Sequence, residues 1–78
     1  MEINLSFMKK IFDDALDLTD YELALDSEFE SVPGWDSLGH MRIISEIEDQ
    51  LNLEFEIDEI VGIDTVSKLI EMVNKKKQ

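Results

Sequence analysis

Three separate segments of the chain carry apolar residues at the spacing of an amphipathic helix. In the first and last of them, apolar residues recur at i, i+3, i+4 and i+7, and in the middle one they share one face at about 100° per residue. No segment alternates over the length of a strand, and the short stretch NLEFEID is interpreted as a loop. We therefore predict an all-α fold. The three apolar sets are Met8, Ile11, Phe12 and Ala15; Ile43, Ile44, Ile47 and Leu51; and Val66, Leu69, Ile70 and Val73.

The first two helices are predicted to be joined by a long acidic loop. The first helix is expected over about residues 4–16 and the second over about residues 37–51. Residues 17–36 between them lack a sustained period and contain a Pro33-Gly34 turn pair, which is typical of a loop. Loops of that length are uncommon in compact domains and are often functional.

The remainder of the chain is predicted to form a short helix and a final longer one. A helical turn over residues 57–61 is expected to end near Gly62 in a left-handed terminus. Asp64 or Thr65 is expected to cap the last helix. The chain is therefore predicted to be one domain, residues 1–78, folded as a small four-helix bundle with three longer helices and one short helix.

Several classes of site are excluded by residue types. The chain has no cysteine and a single histidine, His40, so neither a thiolate nor a multi-histidine metal site is expected. Alternate carboxylates from Asp26 to Glu30 resemble the start of a calcium loop, but Ser31 replaces the required glycine and Ser37 the final glutamate. We therefore expect no metal site.

The distribution of charge predicts the kind of partner. The formal net charge is −12, and all acidic residues except Glu2 and Glu71 lie between Asp13 and Asp64, where Arg42 is the only base. Such a field repels nucleic acid and anionic membranes and attracts basic protein surfaces. No apolar run approaches the length of a membrane span and the first residues lack a signal-peptide pattern, so a soluble, cytoplasmic protein is expected. We also expect it to be a monomer.

Ser37 stands at the predicted start of the second helix, and two interpretations of it stay open from the residues alone. A serine there is a good N-cap, with a contribution of about 1 kcal/mol. Alternatively, its hydroxyl is displayed at the helix N-terminus, where an attached phosphate would be stabilised. A hydrolytic pair of Ser37 with His40 is disfavoured because no oxyanion arrangement or third group accompanies it, and His40 falls on the apolar face at the rim of the core.

The outward face of the second helix is predicted to dock partners. Leu38 and Met41 point away from the buried face, and two apolar side chains ringed by acids are typical of an anchor with an electrostatic rim. Trp35 is either a third anchor or packs over the loop and the helix ends. The predicted docking residues are Leu38, Met41, Arg42, Glu48 and Asp49.

Asp36-Ser37-Leu38 at the head of an acidic helix resembles the attachment motif of the acyl carrier protein family and of the broader group that includes peptidyl carriers. The likeness extends over nearly the whole chain, from the first helix to the Thr65-Val66 that opens the last. It implies that Ser37, with Asp36 and Leu38 as motif neighbours, receives 4′-phosphopantetheine from coenzyme A through a phosphopantetheinyl transferase. The resemblance also implies a carrier without catalytic residues, which presents acyl thioesters to acyl-loading and acyl-processing enzymes with basic docking patches.

Two positions depart from the pattern of fatty-acid carriers, which often have acids two and five residues after the serine. Gly39 and Arg42 stand there, and the Trp35 and SLGHM context resembles specialised carriers of secondary or modified-acyl pathways. The resemblance therefore implies a specialised carrier and not a housekeeping one of fatty acid synthesis, and which acyl pathway it serves (fatty acid, polyketide or another) stays open. The alternatives are a peptidyl or aminoacyl carrier and an acidic interaction module without a prosthetic group. Arg42 is hypothesised to select a dedicated partner, or else to pair with Glu46.

The cargo of such a carrier is hypothesised to shelter inside the bundle. The proposed space lies between the second and the last helix. Its candidate lining residues are Ile43, Ile47 and Ile70.

Overall fold

The computed structural model describes residues 3–18 and 21–77, and this part of the chain consists of helices joined by loops. It contains four helices and no strand; an isolated antiparallel bridge joins Glu28 to Thr65. The prediction of an all-α bundle with three longer helices and one short helix is confirmed. The helices are α1 (Leu5–Leu16), α2 (Ser37–Leu51), α3 (Ile57–Gly62) and α4 (Val66–Lys77).

The ends of α1 and α2 are set by local hydrogen bonds. Asn4 caps α1 by accepting a hydrogen bond from the backbone N–H of Phe7 at 3.1 Å. Both helices end at a residue with left-handed backbone, Asp17 (φ 53°) and Asn52 (φ 56°), whose N–H bonds back to the last turn. Asn and Asp tolerate that conformation better than most residues, which explains why the two helices stop there.

The predicted left-handed terminus at Gly62 is wrong. Among the described glycines only Gly34 has a positive φ, and Ile63 continues in extended conformation after α3. The Ile63 N–H closes on the Ile60 carbonyl at 3.3 Å, so the short helix ends without a reversal. The prediction for the next helix is confirmed with Thr65, whose hydroxyl accepts a hydrogen bond from the Lys68 N–H at 3.1 Å.

The core joins three helices to the end of the long loop. Trp35 is fully buried and meets the ring of Phe12 edge-on at 4.9 Å between centroids, while the ring of Phe29 lies parallel to the indole at 6.1 Å. Trp35 is therefore a core residue, which excludes it as a docking anchor. The side chains with the least exposure are Met8, Ile11, Phe12, Trp35, Ile43, Ile44, Ile47, Val66, Leu69 and Val73.

The long loop is fastened by hydrogen bonds to α1 on one side and to the start of α4 on the other. The Tyr21 hydroxyl donates to Asp13 Oδ1 at 2.8 Å, and Lys9 Nζ lies 3.0 Å from the same oxygen. On the other side, the Val66 N–H donates to the carbonyl of Ser27 and the Phe29 N–H to that of Asp64. These bonds hold the described residues of the loop, 21–36, against α1 and α4, and its last residues lead into the start of α2.

We expect the melting temperature to rise with salt at neutral pH, and to rise at first as the pH is lowered. Both changes reduce repulsion within a chain of net charge −12. In stronger acid the trend reverses. The pKa of Asp13 is lowered mainly by a hydrogen bond from Lys9 and, to a smaller extent, by one from Tyr21. The pKa of Glu59 is lowered mainly by a hydrogen bond from the Glu56 N–H and, to a smaller extent, by one from Lys76.

Because these two pKa values are lowered by folding, the stability they contribute is complete above the ordinary values of 3.8 and 4.5. It is lost as the pH falls through the lowered values. Thermal unfolding followed by circular dichroism measures both the rise of the melting temperature in mild acid and its fall in stronger acid. Asp13→Asn should reduce the fall in stronger acid, whereas Asp14→Asn, a change at its exposed neighbour, serves as the matched control. A melting temperature that does not change with ionic strength would contradict this account.

Candidate functional site

Ser37 is the first residue of α2, and its side chain is exposed. The residue that caps the helix is Asp36, which has extended backbone and accepts a hydrogen bond from the Gly39 N–H at 2.9 Å through Oδ1. The interpretation of Ser37 as the cap is therefore wrong. Within the described part of the chain the Ser37 hydroxyl has no hydrogen bond, because the neighbouring carboxylate already serves the helix end.

The surroundings of that hydroxyl suit a phosphodiester. The α2 helix is 15 residues long and places the positive end of its dipole at Ser37. The Asp36 carboxylate accepts a hydrogen bond from the Gly39 N–H, and its backbone carbonyl accepts one from the His40 N–H at 2.7 Å. The N–H groups of Ser37 and Leu38 precede the first intrahelical bond, so no helix carbonyl uses them and they could donate to a phosphate attached at Ser37.

His40 holds three parts of the structure together. Its Nδ1 accepts a hydrogen bond from Trp35 Nε1 at 2.8 Å, and its Nε2 lies 2.9 Å from the carbonyl oxygen of Ile60. An indole N–H can only donate, so the imidazole proton is on Nε2 and is donated to Ile60. Both ring nitrogens of this buried side chain are occupied. The histidine at the core rim is thus confirmed, and it is not available as a base for Ser37.

Gly39 allows the long loop to rest directly on the first turn of α2. A Cβ at this position would lie 1.8 Å from the carbonyl oxygen of Gly34 and 2.9 Å from Leu16 Cδ2. Gly34 itself has a φ of +81°, which favours glycine at the turn. A glycine at position 39 is therefore required by the packing of the loop on the helix in this structure.

A cleft of about 310 Å³ opens beside Ser37 between α2, α3 and the long loop. It is lined by none of the three residues proposed from the sequence for the cargo space: Ile43 and Ile47 are fully buried in the core, and Ile70 lies on α4. The sequence did not predict this cleft, because the apolar spacing of so short a helix as α3 does not show where the helix packs. Its apolar walls are Phe29, Met41, Ile60, Val61 and Ile63, and its polar ones are Ser37, His40 and Asp64.

The structure separates the predicted docking residues into two groups. Leu38 and Met41 are 64% and 49% exposed, and Arg42 and Asp49 are exposed as well. Glu48 differs, because it is half-buried and accepts a hydrogen bond from the Phe55 N–H at 2.9 Å, which ties the loop after α2. A docking role for each of them stays a prediction.

Two exposed apolar side chains of α3 had no signal in the sequence. Ile57 and Val61 are 76% and 75% exposed. A helix of six residues has too few positions to show which face is buried. Val61 borders the same cleft as Met41, so the apolar surface near Ser37 extends onto α3.

Comparison with known proteins is consistent with this geometry. The family model described as a phosphopantetheine attachment site matches residues 6–73. Acyl carrier proteins of Buchnera aphidicola subsp. Acyrthosiphon pisum, from strains Tuc7 and APS, are each 32% identical over 69 residues, which is 88% of this chain and 86% of theirs. A solution structure of holo acyl carrier protein from Geobacter metallireducens superposes with a TM-score of 0.83 at 27% identity, covering 94% of this chain and 84% of that one.

The chain therefore belongs to the acyl carrier protein family. It is a carrier and not a catalyst, and its prosthetic group is 4′-phosphopantetheine. Proteins of this family are acted on by phosphopantetheinyl transferases and by acyl-processing enzymes. In the described part of the chain, no helix has the length and apolar character needed to cross a membrane.

Proposed function

We propose that Ser37 is the residue that holds the phosphopantetheine arm, through a phosphoester at its Oγ. The observation that carries this proposal is an exposed hydroxyl without a hydrogen-bond partner on the first residue of a 15-residue helix, inside the matched part of the chain. When bound, the arm supplies a terminal thiol on which acyl groups are held as thioesters.

The residues around Ser37 have distinct roles in this proposal. Asp36 caps α2, which leaves the serine hydroxyl available to a transferase. The N–H groups of Ser37 and Leu38 stabilise the negative phosphodiester. Gly39 admits the Gly34 carbonyl and so fixes the loop against the helix, which holds Ser37 in one exposed position.

The surface around the site supports a role in presenting acyl groups to enzymes with basic docking patches. The acidic field attracts such patches, and Leu38 and Met41 supply apolar anchors, with Asp49 and Glu48 as acids on the same helix. The mainly apolar lining of the cleft favours an acyl cargo of a fatty acid, polyketide or specialised pathway over an aminoacyl one. We further propose that residues 1–78 act as a single-domain, cytoplasmic monomer.

Ser37→Ala is expected to abolish attachment of the arm. Incubation of the wild-type protein with coenzyme A and a broad-specificity phosphopantetheinyl transferase should add one phosphopantetheinyl group, as measured by intact mass. Ser37→Ala should gain none, because it lacks the hydroxyl oxygen to which the arm is proposed to be attached. Ser45→Ala, which removes another exposed serine of α2, is the matched control and should be modified like the wild type. A group that persists on Ser37→Ala would overturn the assignment.

A further inference from the structure

The exposed side of α2 beyond Ser37 carries a single cation. Arg42 is the only base between Asp13 and Asp64, and its side chain is exposed. It lies five residues after Ser37, about 7.5 Å along the helix axis. Leu38 is one turn before it and Ser45 nearly one turn after it, so the cation lies on the same side of α2 as an exposed apolar anchor.

No carboxylate of the described residues neutralises this cation by direct contact. Ion pairs within 4.0 Å are formed by Lys9, Lys68 and Lys76, and Arg42 is in none of them. The pairing with Glu46 that its i, i+4 spacing suggested is not found. Glu46 instead accepts a hydrogen bond from Gln50 Nε2 at 2.6 Å.

Arg42 also borders a shallow cleft between α1 and α2. The cleft has a volume of about 290 Å³, and the carboxylates of Asp14, Glu46 and Asp49 share its rim. A protein that docks here therefore meets one guanidinium surrounded by acids. The complementary surface is a basic patch interrupted by one carboxylate, since guanidinium and carboxylate groups form paired, directional hydrogen bonds.

We infer that Arg42 is a specificity-determining contact for the enzymes that act on this carrier. The favoured partner presents an Asp or Glu opposite Arg42, within a basic surface that faces the neighbouring acids. A partner whose docking surface is basic throughout places a cation against Arg42, and like-charge contact disfavours it. This inference rests on the proposed function of Ser37, and it concerns which enzymes use the loaded arm.

The test compares wild type, Arg42→Glu and Lys10→Glu as substrates of one defined enzyme. The probe is a β-ketoacyl synthase of fatty acid synthesis, chosen for a docking surface that is basic throughout. Arg42→Glu should raise kcat/KM by about tenfold, mainly through KM, and the gain should shrink at high salt. Lys10→Glu changes the net charge by the same amount as Arg42→Glu, but at an exposed position on α1. If the effect depends on where the charge lies and not on the total charge, Lys10→Glu should change kcat/KM by less than about twofold.

A second arm tests the predicted carboxylate directly. Single lysines and arginines of the synthase's docking surface are changed to glutamate, one in each variant. At least one variant should prefer the wild-type carrier to Arg42→Glu, reversing the order seen with the unchanged synthase. Equal use of both carriers by every synthase variant would overturn the inference.

Loading separates this inference from the proposed function. Each carrier is first brought to one phosphopantetheinyl group per chain, as verified by intact mass. A wild-type protein that cannot be loaded at Ser37 contradicts the proposed function itself. Equal turnover of fully loaded wild type and Arg42→Glu contradicts only the role of Arg42.

Discussion

Gly39→Ala is expected to lower the free energy of unfolding by about 1–3 kcal/mol, toward the upper end of that range for an overpacked site. The new Cβ would lie 1.8 Å from the carbonyl oxygen of Gly34, so backbone must move to admit it. Helix propensity alone predicts the opposite sign, since alanine is favoured over glycine inside a helix by about 1 kcal/mol. The sign of the change therefore decides whether the contact with the loop exists.

Gly62→Ala is the matched control for this change. Gly62 is also helical, does not have a positive φ, and an added Cβ would meet nothing within 4 Å. This variant should be as stable as the wild type or more stable by up to about 1 kcal/mol. Urea unfolding followed by circular dichroism measures both variants. If Gly39→Ala and Gly62→Ala gave the same stabilisation, the proposed packing of loop on helix would be wrong.

His40→Phe is expected to cost about 2–4 kcal/mol although it preserves an aromatic ring of similar shape. It removes both hydrogen bonds of the imidazole and leaves the Trp35 indole N–H and the Ile60 carbonyl without their partner. A buried polar group left unsatisfied costs about 1–3 kcal/mol. A domain of this size has roughly 5–10 kcal/mol of stability in all, so the loss is a large part of it.

A double-mutant cycle isolates the bond between the two rings. Trp35→Phe removes the donor, and the double variant with His40→Phe removes both partners, so no indole N–H is left unpaired. The double variant should be less destabilised than the sum of the two single changes, as measured by urea unfolding. Strict additivity would show that the imidazole and the indole do not interact.

Features that depend on neighbours in sequence were predictable. Apolar spacing and helix-starting residues predicted α2 with the same bounds that the structure shows, Ser37–Leu51, and predicted Thr65 as one of two caps for α4. Exposure of Leu38 and Met41 also followed from the spacing, because the opposite face of α2 is a run of buried isoleucines. These are local patterns, and tertiary packing reinforced them.

Features that depend on contacts across the chain were not predictable. Both Asp36 and Ser37 are good N-cap residues, and the choice between them is made by the extended backbone of Asp36 that follows the buried Trp35. The bond from His40 to Ile60 spans 20 residues. The requirement for Gly39 comes from a turn that only the folded loop brings close.

The location of the cleft beside Ser37 was missed for the same reason. It depends on where α3 lies against α2, and α3 is too short for its pattern to show a face. The packing reason for Gly39 was also missed, since a sequence does not reveal that a backbone carbonyl occupies the space of a side chain.

The most direct test of the central claim is the mass of this protein isolated from the cells that make it. Tandem mass spectrometry of the tryptic peptide that covers residues 11–42 should show one phosphopantetheinyl group on Ser37. A further mass on the arm should disappear with neutral hydroxylamine, as a thioester does, and its value identifies the acyl cargo. A peptide without the group, with the group on another residue, or with an acyl mass that resists hydroxylamine would contradict the account.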